Sequence, residues 1–406
     1  YGASVTGGAY NLLVSNKAVI IGLLNMNNNS GDLVVSGEIS WESGSTANIT
    51  ATSAEIYCGS HMTFKSGSNV QLAMGYLDFN GSSQSNLYNH SAYTRIHNIR
   101  ANVSNPQAFI IHSSSTQDLV INGSFWNYAG KSSYNWYAGN TIIKGNITNY
   151  NTTTNAFQWH YGTLVLDGSN QTVSLANSTD YVNHLTASQA GTLSLANNLS
   201  IKGNLLIESG IFNAGNYSIK IAGNWVNAAG PDAFNENTSR VIFNGTGHQY
   251  CNYTENFNII EVDKSGGALR VNNSSAVITC ASYDWTAGAV DVLTGTFTAN
   301  QLLDNGIKGA WCLNPSGTIN LHNPGGWVDL NGDLYIYGGD FNVYGGTTTS
   351  FWPYSSNASL TMSSGNLVFH DQGVFITTTG SYSFTENITG GEIKVARSFT
   401  VNRTDF

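Results

Sequence analysis

The residues of this 406-residue chain with the most distinctive chemistry are four cysteines, Cys58, Cys251, Cys280 and Cys312. An even number of cysteines in a chain that reads as exported predicts disulfides, with three full pairings open. Cys251 and Cys280 stand 29 residues apart. If the chain winds in coils of about 25 residues, with strands about 4.8 Å apart, that spacing staples neighbouring coils. Cys58 and Cys312 are then expected to join consecutive subunits. The alternative is buried free thiols acting as small apolar side chains. No CxxC or Cys/His spacing points to zinc.

Carboxylates are the next source of chemistry. Asp167, Asp263, Asp284, Asp291, Asp304, Asp333 and Asp340 are scattered singly. Glycoside cleavage needs two carboxylates flanking one bond, so the expectation is that the protein is not an enzyme and carries no cofactor. Asp329, Asn331 and Asp333 have the one-three-five spacing of a calcium loop but lack its glycine and distal glutamate. A β-turn at Asn331-Gly332 accounts for the same letters. Gly247-His248 and Arg95-Ile96-His97 are isolated fragments, and the nine histidines are dispersed.

A third kind of chemistry is modification. The chain has 51 Asn and 82 Ser plus Thr, and Asn-x-Ser/Thr triplets begin at Asn28, Asn48, Asn80, Asn89, Asn102, Asn122, Asn146, Asn151, Asn170, Asn177, Asn198, Asn216, Asn237, Asn244, Asn252, Asn272, Asn273, Asn357, Asn387 and Asn402. Chance pairing predicts roughly 10 such triplets, about half the number present, so they read as N-glycosylation sites on an exported surface. Corner chemistry in an Asn-rich chain is the competing explanation. Ser274 to Ser356 contains no triplet but holds Trp285, Trp311, Trp327 and Trp352. A glycan-free face with these tryptophans is the candidate subunit interface.

What must position these residues is a stack of strands. From Gly191 to Ala229, Leu193, Leu195, Leu199, Ile201, Leu205, Ile207, Ile211, Ile219, Ile221 and Trp225 fall mostly two apart, with small polar corners between runs. That is the period of strands with one buried face. The same grammar runs from Gly31 to within five residues of Phe406. Residues 1–30 read as a cap or docking end, 31–406 as the stack, and about 86–155 as a looser, aromatic-rich part. Its rings, from Tyr88 to Tyr137, suit either carbohydrate stacking or packing.

Between Tyr161 and Gln301 the chain repeats itself: TLVLDGSNQ lines up with RVIFNGTGHQ, Gly168 with Gly245, Gly191 with Gly267 and Gly210 with Gly288. The offset of 76 to 78 residues suggests roughly three coils of about 25 residues. Asn-rich corners are expected to stack into hydrogen-bonded ladders along the axis.

Composition limits the rest. Only 10% of residues are charged, yet there are 9 Trp, 21 Tyr and 17 Phe, so the chain folds and presents a polar uncharged surface. The net charge of −9 is spread along the length, which argues against nucleic acid. The longest apolar run, Val19 to Leu24, is far short of a membrane span. A start at Tyr1 suits a mature product whose signal peptide is gone.

The phrases GNLLIESGIFNAGNYSIKIAGNWVN and RVIFNGTGHQY resemble the repeats of large secreted parallel β-helix proteins on archaeal and bacterial surfaces. The resemblance implies an all-β, right-handed parallel β-helix in a sheath, filament, surface-layer or adhesin protein. We therefore expect about 14 to 18 coils and a self-assembling, N-glycosylated extracellular building block whose partners are copies of itself. A carbohydrate-binding adhesin is the alternative reading, and a polysaccharide-degrading enzyme the second alternative.

Overall fold

The computed structural model describes residues 5–6, 11–26, 31–49, 53–73, 75–103, 108–113, 117–128, 131–135, 139–304, 306–324, 326, 328–345, 348–351, 357–370, 373–377 and 382–402. It is an all-β parallel solenoid of about 15 turns with almost no helix. The chain divides into two compact units, residues 1–203 with 207–213, and residues 204–206 with 214–406.

The first unit opens with β1 (Val5–Thr6), β2 (Leu12–Val14) and β3 (Lys17–Ile20), the three strands of one coil. Above them lie β4 (Leu23–Asn25), β5 (Leu33–Val35) and β6 (Glu38–Trp41), then β7 (Thr46–Ile49), β8 (Glu55–Cys58) and β9 (Met62–Phe64). Each strand pairs in parallel with its counterpart one coil on: Leu12 with Leu33, Leu33 with Ile56, Lys17 with Glu38. Where the 1–30 segment is described, its strands Leu12–Val14, Lys17–Ile20 and Leu23–Asn25 pair in parallel with the next coil. Strands also continue through the aromatic-rich part, at Ala108–Ser113, Leu119–Ile121, Phe125–Asn127 and Thr141–Ile143.

Alternation produces the core directly. Leu33, Ile56, Leu77, Ile99, Phe125, Ile147, Val173 and Leu195 form one inward row by successive register pairs, and all are buried. Each such side chain contributes roughly 1.5–3 kcal/mol by leaving water. Of the ten residues in the Gly191–Ala229 ladder, Ile211 alone faces out, 43% exposed. Gly210 just before it takes φ +73, a left-handed conformation that shifts the alternation by one residue, so Phe212 is buried instead.

Corners bring backbones of adjacent coils together, which explains the glycines. A Cβ on Gly59 would lie 2.1 Å from the carbonyl oxygen of Ser36, and one on Gly81 would lie 1.9 Å from that of Gly59. The expected asparagine ladders are present. Asn98 Oδ1 accepts the Ser124 N–H at 2.8 Å, Ser124 Oγ accepts that of Asn146 at 3.0 Å, and Asn146 Oδ1 accepts that of Thr172 at 2.8 Å. In the second unit Asn204 Oδ1 accepts the Asn224 N–H, and Asn224 Oδ1 that of Tyr250. Each of these five corner N–H groups is satisfied by the coil before it.

The second unit uses longer, bent strands such as Gly306–Asn323 and Val328–Gly345. Val290, Trp311, Leu334 and Leu360 make an inward row there. Asn331-Gly332 lies inside Val328–Gly345, stacked on Lys308-Gly309, so the β-turn expected at this dipeptide does not form. Gly332 is required for a different reason: a Cβ would sit 2.0 Å from the Gly309 carbonyl oxygen.

The internal repeat is a repeat of corners and not of whole coils. Gln171 Oε1 accepts the Gly168 N–H, and its Nε2 donates to the carbonyls of Ile143 and Gly145. Gln249 makes the same three bonds with Gly245, Ile221 and Gly223. Gly210 and Gly288 both adopt positive φ. Coils here are shorter than 25 residues: Ile143, Leu166 and Ala187 are successive partners, as are Ile221, Phe243 and Val262. An offset of 77 between Gly168 and Gly245 is no whole number of such coils, so the three-coil interpretation fails while the corner similarity stands.

Candidate functional site

The first coil is the most exposed apolar feature among the described residues. In the described pairings β1, β2 and β3 have partners on one side only, β4, β5 and β6 respectively. β3 is accordingly an edge of its six-stranded sheet, with Lys131–Asn135 at the other edge. Leu13 is 73% exposed and Ile21 69%, with Leu12, Val19 and Leu23 exposed beside them. Leu12, Val19, Ile21 and Leu23 border an apolar groove of about 320 Å³ that reaches Leu24 and Leu33. Unpaired parallel strands beside exposed leucine and isoleucine are a template for further strands.

The cysteines are not brought together in pairs. All four are free thiols. Cys251 bridges Trp225 on one side, and its N–H donates to Arg270 on the other. Gln249 pairs with Leu269 at this point, so the local coil is about 20 residues, and a 29-residue spacing carries Cys280 beyond the neighbouring strand. Cys58 sits in the core between Val35 and Phe79, fully buried, which removes it from subunit linkage in the folded state. Burial pushes the thiols of Cys58 and Cys312 up to about 11 and those of Cys251 and Cys280 higher still. Cys312, the one half-buried thiol, receives a 3.7 Å contact from Asn314 Nδ2.

Of the interface tryptophans, Trp311 is a core residue and donates Nε1–H to the Lys308 carbonyl. Trp285 is half-buried, its indole N–H held by the Gly288 carbonyl at 3.0 Å. Trp327 and Trp352 lie outside the described residues.

The glycosylation candidates divide by environment. Asn89 is buried, with Nδ2 donating to Asp118, so it is closed to modification in the folded chain. Asn151, Asn177, Asn244 and Asn252 are half-buried. Asn28 and the side chains of Asn48 and Asn402 lie outside the described set, and the others are exposed. Asn146 and Asn170 use Oδ1 for ladder bonds, which directs those bonds away from Nδ2, the atom that carries a glycan. Asn151 and Asn177 instead fold onto their own triplets, each Oδ1 accepting the N–H and hydroxyl of the threonine two residues on.

The structure also assembles charges that looked solitary in sequence. Arg100 NH1 meets Asp78 Oδ2 at 2.8 Å and Glu55 Oε2 at 3.5 Å, from three consecutive coils. Arg240 NH1 holds Glu261 Oε2 at 2.6 Å and Asp284 Oδ2 at 2.5 Å. Carboxylates therefore do pair across coils, each pair bridged by one guanidinium. Burial raises Asp78 against the pull of Arg100. Within the core, burial pushes Glu255 up to about 8, although Trp225, Asn227 and the Asn256 N–H all donate to it. Lys264, drawn down to about 8 by burial, donates to the carbonyls of Gly245 and Gly247 and to Gln249 Oε1. These spacings follow the local coil length, a signal visible only once that length is known.

Among the described residues no group of three or more His, Cys, Asp or Glu is placed to hold a metal ion, which includes Asp329 and Asp333, and Asp333 Oδ1 accepts the Ser359 hydroxyl. Among the described residues no helix is long and apolar enough to cross a membrane. Comparison with family models, with curated proteins and with solved structures finds no match to this chain.

Proposed function

We propose that this protein is a structural building block of a cell-surface filament, sheath or surface layer, exported, N-glycosylated and assembled from copies of itself. The observation that carries the reading is the first coil, where β1–β3 have one-sided pairing beside exposed Leu13 and Ile21. In this reading a second copy lays its strands on that edge and extends the same parallel ladder. A heterologous contact of this kind polymerises unless its geometry closes.

Surface chemistry supports the same reading. The exposed triplets suit an outer face masked by sugar, and the low charge leaves little repulsion between stacked copies. Arginine-bridged carboxylate pairs serve cohesion between coils, and no cofactor enters this account. Sedimentation of the chain over a concentration series, with the first-coil residues intact or replaced, tests the proposal.

A further inference from the structure

One outward face of the first unit carries a groove that self-assembly does not explain. Its central column reads Val19, Ser40, Thr63, Tyr88 and His112, each the register partner of the next. Ser40 and Thr63 are short, so they form a floor. On one side Lys17 Nζ binds Glu38 Oε2 at 2.9 Å, and on the other Lys65 Nζ binds Glu42 Oε2 at 2.7 Å. The resulting trough measures about 260 Å³.

Tyr88 closes it. One face of its ring lies on His112, centroids 4.5 Å apart and planes 20° apart. Tyr88 lines the trough beside Thr63, its register partner one coil back. His61 meets the same ring edge-on at 6.1 Å. The only glycosylation triplet on this strand begins at the buried Asn89, so no sugar grafted there obstructs the opening.

We infer that this groove binds one neutral pyranose residue of a glycan. The chemistry matches on three counts. An aromatic wall offers a surface for the C–H face of a sugar ring. Hydroxyls, ammoniums and carboxylates around the floor serve as donors and acceptors for ring hydroxyls, while the two ion pairs cancel in charge and favour a neutral ligand over an anionic one. The volume admits a single ring. Glu38 and Glu42 are each held below the usual carboxylate range, first of all by hydrogen bonds from Lys17 and Lys65, so both stay ionised and serve as acceptors for sugar hydroxyls.

The test is calorimetric titration of the whole chain with the methyl glycosides of glucose, galactose, mannose and N-acetylglucosamine. Saturable binding of at least one, with Kd on the order of 1 mM, is expected. Tyr88→Ala should weaken it at least about tenfold, Tyr88→Phe should stay within about twofold because the ring persists, and Thr63→Phe should abolish it by filling the floor. Each variant is first shown to retain the parent's melting temperature. Binding of none of the four glycosides to the parent chain, or binding unchanged in a folded Thr63→Phe variant, overturns the assignment. Because the readout is binding per chain, it succeeds or fails independently of self-association.

Discussion

Trp225 donates its indole N–H to Glu255 Oε2 at 2.9 Å inside the second unit, where both side chains are buried. The carboxyl is raised to about 8 by burial from an ordinary value of 4.5, so the folded chain keeps a proton that the unfolded chain gives up between those values. The resulting stability is complete below about pH 4.5 and is lost as pH climbs toward 8. Thermal melts across this window should show a falling midpoint, and Glu255→Gln should flatten that slope.

Lys264 carries the opposite sign. Its ammonium is drawn down to about 8 from 10.5, so the folded chain binds fewer protons between those values and its contribution to stability rises with pH across them. Lys264→Met should remove this rise. It should also cost about 1–3 kcal/mol near neutrality, read from urea midpoints, because the carbonyls of Gly245 and Gly247 lose the ammonium and Gln249 Oε1 is left with the Gly245 N–H alone.

The glutamine corners make a matched pair of tests. Gln171→Ala strands the Gly168 N–H and takes a donor from the carbonyls of Ile143 and Gly145, the first of which keeps the Asp167 N–H, and should cost about 1–3 kcal/mol. Gln249→Ala should cost at least as much, since Lys264 also relies on Gln249 Oε1. Urea unfolding of the two variants measures both.

All four cysteines should behave as free thiols. In native conditions only Cys312 is expected to react with a disulfide reagent at a measurable rate, since the others are buried. Denaturant should release all four, and a non-reducing gel of native material should show no covalent ladder.

How much of this could be seen in the sequence depended on whether coil length mattered. The alternation of Leu193, Leu195, Leu199 and Ile201 needs only the two-residue period of a strand, so the buried rows were legible without any knowledge of register. Ladder-forming asparagines at corners were legible for the same reason. Pairings between coils were not, because partners stand 19 residues apart at Arg240 and Ile259 but 26 apart at Asp333 and Ser359. With that variation, Cys251 and Cys280 looked like neighbours and are not, while Asp284 looked solitary and is bonded to Arg240. Glu255 and Lys264 escaped notice because nothing in the letters marks a charged residue as pointing inward. The Tyr88 groove draws on β3, β6 and β9 together with the strand Ser85–Asn89, and only stacking unites them.

The central claim is association through the first coil, and sedimentation velocity tests it most directly. The parent chain should show a weight-average mass that grows with concentration. The double variant Leu13→Glu, Ile21→Glu, which alters two exposed side chains and should leave the melting point within a few degrees, should sediment as a monomer throughout. A parent chain that stays monomeric at every concentration, or a folded double variant that associates as the parent does, would contradict the account.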